Sequence, residues 1–483
     1  MGVAAFSGCG PAGCRPRTLA QSLRLGDLVA LSVSSVGPIF SVAATGGVMA
    51  ARAGWWTLPA IALLAVPFVI ASFVFRLLNR HFPHCGASYH WSARVLGARA
   101  SRYQAWILML AYFLSIPPIA LPAGSYTLAL IAPGYAAPAV VRLAVTLFWI
   151  CFAAVPLLLG AGPTARVTRA FFALEMLSLL SFGVLGVVEL GRLAVPVHFG
   201  APPVGGMLVV AVVAATILDG WEIDSYAAEE SRRPRCQPGV GGIVGALGAL
   251  LFYAVLYPLM LGETPLGHLA GAVDPLAVWS ARLLPGASWL ILIPILGSTA
   301  GGLWLTSFIL TRALYAMGRE RLLPGAFARL SRRRVPHVAT MVVLACAAAV
   351  VALQLFVASL GPFFELLLSA AGFFLLAEFL LDLLTAVVFL LRCRGSAQRA
   401  SVGACAYRLL LAGSVISSAI MGALLVAFFI YGPQGIGDGI DRILAVLLAA
   451  GVAFAWWGSQ RRARPYVFHG RDVSNAASSS SAL

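Results

Sequence analysis

Lysine is absent from this 483-residue chain, so all 33 basic residues are arginine. Acidic residues number only 17, and charged residues of both signs make up 10% of the chain, where a soluble domain carries about a quarter. With 60% apolar residues beside that scarcity, an ordinary soluble globule is excluded. No nucleotide-binding P-loop and no Ser-His-Asp pattern stands out, which argues against ATP-driven pumping and hydrolysis, and no cofactor is implied. Gly241, Gly242, Gly245 and Gly248 superficially suggest a nucleotide loop. No strand precedes them, however, and they read as small residues at a helix contact. The eight cysteines follow no framework spacing and are expected to be free thiols. His81, His84 and Cys85 are too few and too incidental to make a zinc site, so no metal is expected. A short apolar core with a small-residue cleavage site is also missing near the start, leaving the first apolar run as the expected targeting element.

What the chain does have is long apolar runs. About 20 apolar residues span roughly 30 Å of hydrocarbon. Twelve segments meet that measure: 25–52, 55–78, 103–131, 139–160, 167–191, 206–229, 239–262, 287–317, 337–358, 362–391, 407–432 and 439–459. Placing the N-terminus in the cytoplasm puts 28 arginines on the inner connections and tails. Only Arg52, Arg142, Arg192, Arg282 and Arg442 remain outside. That asymmetry is the positive-inside pattern for twelve spans with both termini cytoplasmic, and it explains the net charge of +16 without nucleic acid. Some attraction to anionic lipid headgroups follows. Residues 1–22 and 461–483 read as flexible cytoplasmic tails around a transporter domain at 23–460. The connection from His81 to Leu96 mixes aromatic and basic residues and reads as an interfacial amphipathic helix.

Two of the spans are interrupted. The first carries Ser34-Ser35-Val36-Gly37-Pro38-Ile39-Phe40-Ser41, where glycine permits close backbone approach and proline removes a donor. Unwinding there frees N–H groups on the following half-helix for a carboxylate. A proline kink packed on a neighbour is the plainer alternative. The second span carries Thr216-Ile217-Leu218-Asp219-Gly220-Trp221-Glu222-Ile223-Asp224. Carboxylates at this depth are costly unless they face a cavity or a partner. Asp219 and the unwound carbonyls are candidates for a substrate ammonium, with Trp221 as an aromatic wall. Glu222 and Asp224 read equally well as braces of the break. Paired breaks in two halves point to a substrate site near the bilayer midplane.

Four ordered motifs resemble the amino acid–polyamine–organocation superfamily of permeases. Gly37-Pro38-Ile39-Phe40 is similar to its first-helix glycine-rich break, with Pro38 as a departure. Gly86-Ala87-Ser88-Tyr89 matches the element after the second helix. Gly220-Trp221-Glu222, then Glu229-Glu230 and Arg233-Pro234-Arg235, is similar to the sixth-helix signature, and Arg312 through Pro324 to the run after the eighth. The resemblance implies an all-α membrane protein with a LeuT-like five-plus-five inverted repeat. Its repeats would lie at about 25–191 and 206–391, helices 1 and 6 would be discontinuous, and two helices would be appended at about 407–459. It implies a substrate carboxylate at Gly37, Pro38, Ile39 and Phe40, with Ser34 and Ser35 beside them. The amine would sit near Thr216, Asp219, Gly220, Trp221 and Glu222. Proton-coupled relatives place a lysine in the fifth helix where this chain has Glu175. A carboxyl group there is a candidate to bind and release a proton, or else a neutral, hydrogen-bonded group. Ser298, Thr299 and Ser307 are alternative oxygens for sodium. Glu378 and Asp382, four apart on one helix face, are further proton-coupling candidates or a cation site. Glu365 reads as solvated.

The expectation is therefore a secondary transporter moving an amino acid across the cytoplasmic membrane by alternating access, with a proton as coupling ion. It is not expected to be an enzyme. A polyamine or other organic-cation transporter or exchanger is the alternative, and a non-transporting sensor or complex subunit is the reading from another class.

Overall fold

The computed structural model describes residues 18–272, 274–357, 359–392, 403–436 and 439–457. The C-terminal tail at 461–483, most of the N-terminal one, and Cys9, Cys14 and Cys393 lie outside the described residues. Among the described residues the chain is helical, with one isolated bridge between Leu23 and Ser231. Nine helical stretches are long and apolar enough to cross a membrane, the first being the 57-residue stretch Leu25–His81. That stretch comprises α1 (Leu25–Val36), α2 (Pro38–Ala53) and α3 (Thr57–His81).

The first interruption is a break in the helix. Gly37 takes the left-handed conformation, φ 56° and ψ 60°, ending α1 as glycine commonly does. Pro38 then opens α2 at its first position, where a missing N–H costs nothing. Downstream come α4 (Ala87–Val95), α5 (Ala98–Ile131), α6 (Ala139–Leu159) and α7 (Ala161–Leu193). The second interruption separates α8 (Val204–Leu218) from the single turn α9 (Ile223–Tyr226). Asp219 is extended between them, and Gly220 sits at φ 106°. A Cβ at Gly220 would lie 2.6 Å from the Ser35 carbonyl oxygen. Glycine is therefore required twice over, by conformation and by space. The two breaks touch.

The remaining helices are α10 (Val240–Glu263), α11 (Leu266–Ala270), α12 (Pro275–Leu283), α13 (Leu292–Arg319), α14 (His337–Ala352), α15 (Leu360–Arg392), α16 (Ala404–Ile436) and α17 (Ile440–Trp457). Burial sorts them. The most apolar windows of α13, α5 and α15 are 83%, 67% and 67% buried, against 22% for α7 and 28% for α6. The first three therefore form the centre, α5 packing on both others, while α6 and α7 turn apolar residues such as Phe148, Leu177 and Val188 outward. An apolar outer surface is what a hydrocarbon solvent selects. Three of the four glycines of α10 singled out in the sequence pack at helix contacts, Gly241 against Leu28, Gly242 against Trp221, and Gly245 against Ser32 and Trp221, whereas Gly248 faces open space.

Two expectations need correction. The His81–Leu96 connection does not lie at an interface, because Ala87 through Ser92 are all buried inside the protein. Ser88 meets Glu378 and Asp382 of α15, and His90 meets Glu320 at the end of α13. Glu365 is not simply solvated, since its carboxylate pairs with Arg52 at 2.6 Å.

Candidate functional site

Where the breaks meet, a narrow cavity is lined by Ser35, Val36, Gly37, Phe40, Ser41, Ala44 and Thr45 from the first, and by Thr216, Ile217 and Asp219 from the second. Ser115, Pro118 and Ile119 of α5, Gly302 and Thr306 of α13, and Phe364, Leu368 and Ala371 of α15 complete it. Its free volume is about 40 Å³, room for little more than a water, so the side chains have closed around it. A wider vestibule of about 490 Å³ adjoins it through Ala44 and Phe364, and is flanked by the Arg52–Glu365 pair.

The cavity carries two buried polar atoms without a partner, the Ser35 hydroxyl and Asp219 Oδ1. A hydroxyl donates, a carboxylate accepts, and each unmet group is costly in a dry site. Together they complement a carboxylate and an ammonium. Ile119, Phe364, Leu368 and Ala371 supply an apolar wall.

The structure gathers Ser35, Gly37, Phe40, Thr216 and Asp219 at the cavity, but not the other residues singled out from the sequence. Trp221 is 1% exposed and packs edge-on to Phe75 and against Phe379, away from the lining. Glu222 accepts from the Gly220 amide at 2.9 Å and the Tyr112 hydroxyl at 3.0 Å, which holds the break. Asp224 accepts from the amides of Gly239 and Gly242 at the start of α10. Ser34, Pro38, Ile39 and Gly220 lie behind the lining. Ser41, Thr45, Ser115 and Thr306 join the cavity unpredicted as site residues. Their side chains converge only after α2, α5 and α13 pack, and apart from Ser41, which closes the first broken motif, no local motif marks them.

The start of α2 is already engaged. Glu175 Oε1 accepts from the Ile39 amide at 3.3 Å and from Ser298 Oγ at 2.6 Å, while Ser298 Oγ accepts from the Phe40 amide at 3.3 Å. Two of the amides expected to face a substrate carboxylate are therefore occupied by α7 and α13, and Pro38 has none. Thr299 and Ser307 donate to carbonyls of their own helix.

The arginine-rich end is shut. Arg312 makes two 3.2 Å bonds to Glu230, both residues fully or almost fully buried. Arg319 makes bonds of 2.6 and 2.8 Å to Glu229. The Cys85 amide also reaches Glu229, and Asn79 donates to Pro234. Three of the four sequence motifs thus meet in one plug. His84 lies in it with Cys85, Glu229, His90 and Glu320 close enough to offer metal ligands. Arg319 fills the space between, however, at 2.8 Å from His84 and 2.6 Å from Glu229. Burial, joined by the charges of His90, Arg319 and Arg94, holds the His84 imidazole well below its ordinary pKa. His81 turns away to the Leu77 carbonyl. Among the described residues Cys85, Cys151, Cys236, Cys346 and Cys405 are free thiols.

Known proteins resemble this chain in sequence. The family model described as amino acid permease matches residues 28–467. A Bacillus subtilis branched-chain amino acid permease, BcaP, is 25% identical over 348 residues, covering 67% of this chain and 73% of the relative. The methylthioribose transporter of the same organism is 25% identical over 65% of this chain and 71% of its own length. An Escherichia coli L-methionine/branched-chain amino acid exporter, YjeH, is 34% identical over 106 residues, 22% of each chain.

Proposed function

The chain belongs to the amino acid permease family, and on that premise we propose that it is a secondary active transporter of an aliphatic amino acid. It resides in the cytoplasmic membrane with both termini inside. Twelve helices cross the bilayer, the first ten as a LeuT-like pair of inverted five-helix repeats. Substrate binds between the two breaks, and access alternates as the helices carrying them rock against the rest.

The observation that carries this reading is the pairing of an unmet hydroxyl, Ser35, with an unmet carboxylate oxygen, Asp219, across one buried cavity. A zwitterion supplies both missing partners, and the apolar wall favours an aliphatic side chain over a charged one. Two relatives whose names state branched-chain amino acids support the same class. With the arginine-rich end plugged and the vestibule at the other end, this conformation is closed toward the cytoplasm. Coupling to protons is assigned to Glu175, which ties α7 to the first break and to α13. The polyamine alternative has one feature in its favour, the acidic residues near Asp219, but the wall is apolar.

The test is ligand-induced thermal stabilisation of the purified protein across amino acids and polyamines. Leucine, isoleucine, valine or methionine should raise the midpoint. Asp219→Asn should weaken that binding about 10- to 100-fold, the size of a charge-assisted hydrogen bond. Stabilisation by polyamines alone would replace the aliphatic reading with a cationic one.

A further inference from the structure

Behind Asp219 the structure holds a run of carboxyl and hydroxyl groups leading away from the cavity. Asp219 faces Glu222. The Tyr112 hydroxyl donates to Glu222 at 3.0 Å and faces Glu378 on its other side. Ser88 lies 3.1 Å from Glu378 Oε1 and 2.8 Å from Asp382 Oδ2. Tyr226 donates to the same Glu378 oxygen at 2.8 Å and lies 3.0 Å from Ser88, and Gln104 donates to the far oxygen of Asp382 at 3.1 Å. All four carboxylates are buried, and among the described residues none forms an ion pair. Phe68 and Phe75 of α3 pack on Phe379 of α15, three residues before Asp382.

A second observation points to what the run carries. Asp219 Oδ1 at the cavity end and Glu378 Oε2 in the middle are buried acceptors with no donor. Around Ser88 the contacts also outnumber the hydroxyl protons. Ser88 and Tyr226 bring one proton each, yet four oxygen–oxygen contacts of 2.8–3.1 Å join them to each other and to Glu378 and Asp382. A structural brace fills its acceptors; this one leaves places for additional protons.

We infer that Asp219, Glu222, Tyr112, Glu378, Ser88 and Asp382 form a proton relay from the substrate cavity toward the arginine-rich end. This rests on the transporter reading above and extends its coupling beyond Glu175. Asp219 receives a proton at the cavity and passes it to Glu222. With its O–H turned from Glu222 toward Glu378, Tyr112 takes that proton on its oxygen as its own proton moves to Glu378. Ser88 repeats the exchange, accepting from Glu378 and giving its own proton to Asp382. Each O–H bond formed is matched by one broken, and rotation of the two hydroxyls resets the chain.

The experiment uses the full chain in proteoliposomes, with leucine, valine and methionine as probes. Two assays run side by side: counterflow without a pH gradient, and accumulation driven by one. Ser88→Ala and Asp382→Asn should keep counterflow while losing driven accumulation by about tenfold or more, the usual effect of removing a proton-transfer group. Ser88→Thr, which restores a hydroxyl, should recover it. Driven accumulation unchanged in both variants overturns the relay alone. Counterflow lost together with accumulation in both reduces these groups to a brace and likewise overturns it. Absence of counterflow in the unsubstituted protein removes the transporter reading, and the relay with it.

Discussion

Glu175 illustrates how much one side chain can decide at a helix break. Its carboxylate caps the buried start of α2 at Ile39 and holds Ser298 of α13, so its charge state sets how firmly three segments are tied. A carboxylate binds a helix start more strongly than a neutral carboxyl does. Protonation therefore loosens this tie at the first break, beside the proposed substrate cavity. Glu175→Gln keeps an acceptor oxygen for both partners but cannot change charge. It should abolish pH-driven accumulation in proteoliposomes while leaving exchange in place. Unaltered accumulation would remove Glu175 as a proton carrier. Gly220 decides by absence instead, because only a residue without a side chain fits against the Ser35 backbone.

At the scale of elements, the plug at the arginine-rich end joins the short α9 region to α13 through Arg312–Glu230 and Arg319–Glu229. The Arg312 pair is buried on both sides, so removing one partner strands a charge. Arg312→Ala should cost about 3–5 kcal/mol of stability, whereas replacing both members by apolar residues of similar size should cost far less. Denaturation of the single and double variants in detergent checks this, and equal losses in both would show that desolvation is not the cause. The connection through α4 was misread from the sequence because its basic and aromatic residues look amphipathic. In the fold Arg94 contacts His90, and Trp91 donates to Phe82, so these polar groups are met internally.

For the whole molecule, the proposed orientation rests on the arginine distribution. Cys236 is exposed on the Arg232–Arg235 connection. A variant keeping Cys236 as its one cysteine should react with a membrane-impermeant maleimide in inside-out vesicles and stay unlabelled in right-side-out ones. The reverse pattern would invert the proposed topology. The helical class and the positions of both breaks were readable along the chain, because hydrocarbon demands long apolar runs and because glycine, proline and aspartate interrupt helices locally. Among the described residues each of the twelve apolar segments includes helix, and nine helical stretches are long and apolar enough to cross a membrane. Asp219 and Glu175 stood out for a similar reason, as carboxylates costly in apolar surroundings. The sequence could not say that Glu175 reaches the first break, that Arg52 pairs with Glu365, or that Trp221 faces away from the cavity. Those follow from contacts between residues more than a hundred positions apart, or from how a side chain rotates at an irregular turn. Composition and periodicity settle which stretches are helices and where they fail, since those are local energies. Only packing decides which failed ends face each other and whose side chains fill the space between.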